Sequence, residues 1–132
     1  GMTDSGMRQV VKRIYFDVHS IRLLNSETRQ NLTDKNMVAP EETEGEVVNI
    51  GLFRHYIETY LRKRDDVSKS ATLLVRQLEA TQSGVPIELY FFIGTTDWVS
   101  YEQKTSDILE HIYAYANEFG LQIYEGLPVA NT

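Results

Sequence analysis

The stretch Ala71–Gly94 constrains the fold more than any other part of the chain, because it predicts two strands joined by a polar turn. Residues 72–78 are rich in β-favouring side chains, and Gly84 can adopt positive φ in the turn without steric cost. Alternation in the second strand places Ile87, Leu89, Phe91 and Ile93 on one face and Glu88, Tyr90 and Phe92 on the other. A strand that is apolar on both faces needs cover on both sides.

Composition limits the class of protein. A chain of 132 residues is long enough for one domain with a proper core. Its net charge of −6 argues against a nucleic-acid binder, because such proteins need a basic face to neutralise phosphates. The chain has no cysteine, which excludes disulfides and thiolate chemistry. We also expect no secretory signal and no membrane span, since no apolar run approaches roughly 20 residues.

The remaining segments predict two helices and two more strands. Residues 8–18 alternate like a half-buried strand, and Ile50–Arg64 repeats at helical spacing with Asn49 as its expected N-cap. A second helix is predicted to begin after residues 95–97 and to end at Gly120, with Trp98 on its core-facing stripe. Residues 121–124 are predicted to form a short final strand.

The resulting order, β-α-β-β-α-β, predicts an α+β fold of the ferredoxin-like kind. Such a fold is a two-layer sandwich in which two helices cover one face of a four-stranded antiparallel sheet. Residues 25–46 form a polar insertion in which Pro40 and the acidic cluster Glu41, Glu42, Glu44 and Glu46 indicate a solvated loop. A short helix near residues 26–30 is compatible with this segment.

No residue pattern nominates a catalyst. His19, His55 and His111 lie on separate predicted elements, without partners at metal-ligand spacing. The chain lacks a nucleophile elbow, a phosphate-binding glycine loop and a dinucleotide-binding fingerprint. We therefore expect a domain that binds or assembles, with no enzymatic activity, no metal and no cofactor.

Several long motifs resemble the cytoplasmic region of small-conductance mechanosensitive channels, above all the bacterial miniconductance branch. The first is VNIGLFRHY at 48–56, followed by YLR at 60–62. The others are TLLVRQL at 72–78 with GVPIELY at 84–90, TTDW at 95–98 with YE at 101–102, and EFGL at 118–121. The motif positions of most interest are Asn49, Gly51, Phe53, Arg54, Arg76 and Trp98.

The resemblance implies a function in membrane transport. Members of this family open under membrane tension and release ions and osmolytes during hypoosmotic shock. They are homoheptamers of the bacterial inner membrane whose cytoplasmic domains enclose a hollow vestibule. Residues 1–7 would then be the flexible end of a preceding β domain, 8–126 the vestibule domain, and 127–132 a tail. Membrane attachment would come from helices of the parent chain that are absent from this sequence.

Within this interpretation, Tyr90 and Phe92 are the candidate subunit-interface residues, because they lie on the sheet face that the two helices are not expected to cover. Two alternatives remain open. The same order of elements suits a soluble ferredoxin-like sensor that binds a small molecule and dimerises through its sheet. An enzyme with this fold is the third hypothesis, although the sequence lacks a nucleophile, a base and an orienting group in any recognisable arrangement.

Overall fold

A computed structural model describes residues 6–126 of the protein, so the predicted tail at 127–132 and most of the predicted flexible end at 1–7 lie outside it. Three strands and three helices form the domain. In chain order they are β1 (Arg8–Phe16), α1 (Ser26–Asp34), α2 (Asn49–Lys63), β2 (Leu74–Gln77), β3 (Val85–Ile93) and α3 (Trp98–Ala116). Short 3-10 turns at Val18–Ser20, Pro40–Thr43 and Asn117–Phe119 complete the fold.

The sheet has the order β1-β3-β2 and is antiparallel throughout. Strand β1 pairs with β3 along its whole length, from Arg8 opposite Ile93 to Phe16 opposite Val85. Strand β2 pairs with the middle of β3 on the other side. The doubly apolar strand of the sequence is therefore central. Both of its edges are hydrogen-bonded and its inner face is fully buried, whereas Tyr90 and Phe92 on its other face are half-buried.

The predicted four-stranded ferredoxin-like sheet is wrong, because the described residues form three strands. The segment expected to be the fourth strand meets β1 only at its end. Ile123 makes one antiparallel bridge with Phe16, and the Tyr124 amide donates to the Tyr15 carbonyl oxygen at 2.8 Å. Only Leu121 of this segment is buried, so little apolar surface holds a longer ladder in place.

The prediction of two helices is also wrong, because the polar insertion contains α1. This helix begins where a short helix near residues 26–30 was compatible with the sequence, and it continues to Asp34. Asn25 caps this helix, since its Oδ1 accepts the Thr28 amide at 2.7 Å. Leu32 is its single buried residue, so the segment lacks the repeated apolar positions by which a helix is recognised in a sequence. The insertion packs against the other helices: the Asn31 side chain donates to Glu118 Oε1 at 2.8 Å.

The two predicted helices are present nearly where expected. Helix α2 begins at Asn49, but its N-cap is Val48, so the N-cap role predicted for Asn49 is wrong. Helix α3 is capped as predicted, because Asp97 Oδ2 accepts the Ser100 amide at 2.8 Å. Gly120 follows the final 3-10 turn with φ of 74°, the left-handed conformation expected after a helix end.

The core lies between one face of the sheet and the helices. Phe53 of α2 is central to it, with ring-centroid distances of 6.0 Å to Phe16 and 4.8 Å to Phe119. The fully buried residues facing this layer include Ile14, Ile57, Leu61, Ile87, Leu89, Phe91, Ile93, Ile108 and Ile112. All three helices are on this side, so the helices of the described chain leave the opposite face of the sheet open.

Candidate functional site

The most distinctive surface of the domain is the open face of the sheet. It consists of Gln9, Val11 and Arg13 from β1, Leu74 and Arg76 from β2, and Glu88, Tyr90 and Phe92 from β3. Val11 and Leu74 are opposite Tyr90 on its two neighbouring strands, and they are 46% and 44% exposed. Single exposed apolar residues are common, but Val11, Tyr90 and Leu74 are adjacent, and contiguous apolar residues of this kind are typical of a contact surface.

Tyr90 and Phe92, the predicted interface residues, lie side by side on the open face and are half-buried. Their rings meet edge to face with centroids 5.8 Å apart, and Gln9 Nε2 donates to the Tyr90 hydroxyl at 2.9 Å. Residues 25–46 pack on the helix side and do not cover them. The interface role of both residues stays a prediction, because a single chain cannot test it.

A row of three charged residues crosses the open face. Glu88 is only 5% exposed, and each of its two carboxylate oxygens accepts a hydrogen bond from a different neighbouring strand. Arg13 Nε donates to Oε2 at 3.1 Å, and Arg76 Nε donates to Oε1 at 2.9 Å. The guanidinium groups of Arg76 and Arg13 hold the pKa of Glu88 below its usual value. The carboxylate is therefore ionised and both of its oxygens accept hydrogen bonds from arginines, so it is unsuitable as a proton-transfer group.

The sequence contained only part of this arrangement. Strand alternation places Glu88 on the same face as Tyr90 and Phe92, as predicted. The pairing with Arg13 and Arg76 depends on the register of β1 and β2 against β3, and register is set by contacts between distant segments. Arg76 was singled out by resemblance alone, and Arg13 was not singled out as a site residue.

The Asn49 side chain forms hydrogen bonds with the backbone of three separate residues. Its Nδ2 donates to the carbonyl oxygens of Ser20 at 2.9 Å and Phe119 at 3.0 Å, and its Oδ1 accepts the Arg22 amide at 3.0 Å. The side chain is buried, so every one of these bonds replaces a bond to water that the backbone groups cannot make. Asn49 thus has a structural role at the start of α2.

The other motif positions are separated in space. Phe53 is in the core, Gly51 is half-buried in the first turn of α2, and Arg54 is exposed. Trp98 was predicted to be a core residue, and this prediction is wrong: the indole is 59% exposed at the first position of α3. Val99 is exposed as well, and the helical stripe that reaches the core begins only at Tyr101 and Thr105.

Aromatic and charged side chains also meet between α2 and α3. The imidazole of His111 stacks on Tyr60 with centroids 3.8 Å apart, and its Nε2 is 2.9 Å from the Tyr56 hydroxyl. Burial and the neighbouring Arg64 lower the pKa of His111, and burial raises the pKa of Tyr56 to about 12. Tyr56 and His111 thus act as neutral packing groups at neutral pH.

A groove of about 580 Å³ lies beside this aromatic cluster. Its lining includes Lys35, Met37, Tyr56, Thr59, Lys63 and Tyr115. Lys35 Nζ is 2.7 Å from Glu118 Oε1 at one end of the groove. Glu118 also lines the groove and neutralises Lys35, so Lys63 is the lining lysine that has no ion pair within residues 6–126. Lys63 together with the aromatic rings suits a small anionic molecule better than it suits a cation.

Residues 6–126 contain no cluster of three or more histidine and acidic side chains that could hold a metal ion. In the same range, no helix is both long enough and apolar enough to cross a bilayer. No protein-family model matches the chain. The candidate site is therefore described from its structure alone. It is the open face of the sheet, which is partly apolar and is crossed by the row of Arg13, Glu88 and Arg76.

Proposed function

We propose that this domain is a wall segment of the cytoplasmic vestibule of a tension-gated mechanosensitive channel, located on the cytoplasmic side of the bacterial inner membrane. In this function the domain makes protein contacts in a homo-oligomeric ring, and the parent channel releases ions and osmolytes on hypoosmotic shock. The domain uses no cofactor and performs no covalent chemistry. The motifs at 48–62, 72–90, 95–102 and 118–121 motivate the choice of family.

The observation that carries the proposal is the open face of the sheet. A vestibule wall needs a rigid module with a surface for its neighbour, and this face supplies aromatic, aliphatic and ordered charged groups together. Glu88, held by Arg13 and Arg76, is fixed in place before any partner arrives. A pre-ordered surface of this kind loses little conformational entropy when it binds.

The proposal can be tested with the full-length parent protein. The parent reading frame should encode apolar helices before residue 1, and its expression should rescue a bacterial strain without mechanosensitive channels from hypoosmotic shock. Patch-clamp recording should then show tension-activated currents. A parent sequence without apolar helices, or a well-expressed membrane protein that gives neither rescue nor currents, would contradict the proposed function.

The groove beside Tyr56 and Tyr115 favours a second candidate, a small-molecule sensor. Lys63 and the tyrosine rings of the groove suit a small aromatic anion, and binding would stabilise the folded state. A thermal-shift screen against aromatic carboxylates and phosphates tests this candidate: a sensor should gain several degrees in Tm, and Lys63→Ala should abolish the gain. A vestibule wall should show no such shift.

A further inference from the structure

The open face of the sheet carries positive charge on a strongly acidic protein. Arg13 and Arg76 flank the single carboxylate of Glu88, so the row has one positive charge in excess, whereas the chain has a net charge of −6. Both guanidinium groups are about half exposed, at 50% and 53% of their side-chain surface. Among residues 6–126, Glu88 is the only acidic partner of either group, and the remaining N–H donors can serve a further acceptor.

A second surface has the opposite character. Glu41, Glu44 and Glu46 are exposed, and no cation of the described chain pairs with them. The segment that carries them is ordered, because Thr43 is buried and its carbonyl oxygen accepts Arg29 Nε at 2.9 Å. The backbone of this acidic segment, residues 41–46, is therefore held in place, and it carries three exposed carboxylates.

Exposed aliphatic side chains accompany the acidic segment, as they accompany the arginines of the open face. Leu23 and Val48 form an antiparallel bridge directly after the segment, and both are exposed. They match Val11 and Leu74, the exposed aliphatic pair on the open face. The two surfaces are thus complementary in charge and similar in apolar content, which is the pattern of a specific protein contact.

The two surfaces lie on opposite sides of the domain. Glu42 Oε2 is 3.2 Å from His55 Nε2, which places the acidic segment against α2 in the helix layer. The open face is on the far side of the sheet, so the two surfaces cannot meet within one molecule. Both can be occupied at the same time, and a contact between them would be head-to-tail. Such contacts build a closed ring where the rotation between copies closes and an open filament where it does not.

We infer that the open face of one copy binds the acidic segment of the next copy, with Arg13 and Arg76 facing Glu41, Glu44 and Glu46. The inference rests on the proposed function, because it specifies the contact between neighbouring vestibule subunits. It differs from dimerisation through the sheet, in which two open faces would meet and place their arginines opposite each other.

Cross-linking tests the inference, because these 132 residues contain no cysteine that could compete with the introduced ones, and any cysteine elsewhere in the full-length protein is first replaced by serine. Leu74→Cys and Val48→Cys each replace an exposed aliphatic residue, one on each surface. In the full-length protein, the double variant should form disulfide-linked ladders on mild oxidation, and mass spectrometry should identify links between positions 74 and 48. Efficient links between two copies of position 74 in the single variant, or no links in the double variant, would overturn the inference.

Charge reversal provides an independent measurement. Replacing Glu44 and Glu46 with lysine should weaken assembly by at least about tenfold in dissociation constant, because attraction to the arginines becomes repulsion. The matched control reverses Glu102 and Glu110, which are exposed on α3, and so makes the same change in net charge. Sedimentation velocity reports the assembly state. Equal weakening in both double variants would show that net charge alone matters and would overturn the inference.

The proposed function and the inference can fail separately. Links between positions 74 and 48 in a parent protein without membrane helices would remove the channel function and retain the head-to-tail contact. Tension-activated currents without such links would retain the channel function and remove this contact.

Discussion

Almost all buried polar side chains of the described residues have hydrogen-bond partners. Asn49 makes three such bonds, Glu88 is held by two arginines, and the Thr43 hydroxyl donates to the Pro40 carbonyl oxygen at 2.7 Å. The one exception in the described chain is the Thr105 hydroxyl oxygen, which is buried without a partner. Because a buried polar atom that loses its partner costs more than a surface bond contributes, these residues dominate the predicted effects of substitution.

Asn49→Ala should lower the free energy of unfolding by about 3 kcal/mol, because the Arg22 amide and the Ser20 and Phe119 carbonyl groups lose their shared partner inside the protein. Urea denaturation of the purified domain measures the change. Asn117→Ala is the control, since Asn117 is exposed and its replacement should cost no more than about 0.5 kcal/mol. Equal losses in the two variants would contradict the structural role of Asn49.

His111 should make stability depend on pH. Burial and Arg64 lower its pKa in the folded state, so the unfolded state binds the proton first as pH falls. The contribution of neutral His111 to the free energy of unfolding is fully present above about pH 6.5. It is lost as pH falls from there through the folded-state pKa. The loss of Tm between pH 7.5 and 5.5 should therefore be smaller in His111→Gln than in the wild type.

His19→Gln is the control for this measurement, because His19 is exposed in the 3-10 turn after β1. It should keep the pH dependence of the wild type. The role of His111 is contradicted if His111→Gln loses as much Tm over this pH range as the wild type does.

At the scale of elements, the polar turn before β3 is under the tightest steric constraint. Gly84 has φ of 96°, and a Cβ atom there would lie 2.5 Å from the Phe16 carbonyl oxygen. The same atom would lie 3.1 Å from Tyr124 Cβ, so the turn, the end of β1 and the C-terminal segment meet at this position. A side chain has no room in this junction.

Gly84→Ala should lower the free energy of unfolding by about 3 kcal/mol, through backbone strain and the displacement of β1. Gly45→Ala is a matched control, because Gly45 also has positive φ, of 75°, and a methyl group added there would have no neighbouring atom within 4 Å. This control should cost about 1 kcal/mol, the strain component alone. Thermal and urea denaturation give both values, and equal costs would contradict the steric argument.

Elements with repeated apolar positions could be predicted from the sequence, and elements held by single contacts could not. Helix α2 was recognisable because its buried residues recur every turn, and β3 because it is apolar throughout. Helix α1 has one buried residue, and Leu121–Tyr124 has one bridge, so neither has a periodic signal. Trp98 was misplaced because helical periodicity gives the direction of a side chain but not how far the sheet beneath it extends.

The candidate site, too, could be predicted only where a single segment determines it. Alternation alone put Glu88, Tyr90 and Phe92 on one face, and that part of the prediction required only the strand itself. The arginines that hold Glu88 come from strands on either side, and the acidic segment was expected to be a solvated loop. Its order comes from Arg29 of α1, a helix for which the sequence contains only a weak signal near residues 26–30.

At the scale of the whole molecule, the open face should control assembly. Phe92→Glu places a carboxylate beside Tyr90 and should weaken the oligomer of the full-length protein, because the new charge loses water on contact. Light scattering measures the mass. Tyr113→Glu is the control, because Tyr113 is exposed on α3, away from the open face. An unchanged mass for Phe92→Glu would remove Phe92 from the interface.

The pairing of β1 with β3 has a consequence for biosynthesis. Of the three strands described, β1 is made first, but its only full-length partner within residues 6–126 is completed when Ile93 has been added. Until then the nascent chain carries a nine-residue segment that has no partner strand to hydrogen-bond with. The helices and the β2–β3 pair, by contrast, form from residues that are closer in sequence. Arg8, Lys12 and Arg13 lie within that strand, and their charges oppose pairing with the wrong chain on the ribosome. The same arginine that orders Glu88 in the finished domain thus protects the unfinished one.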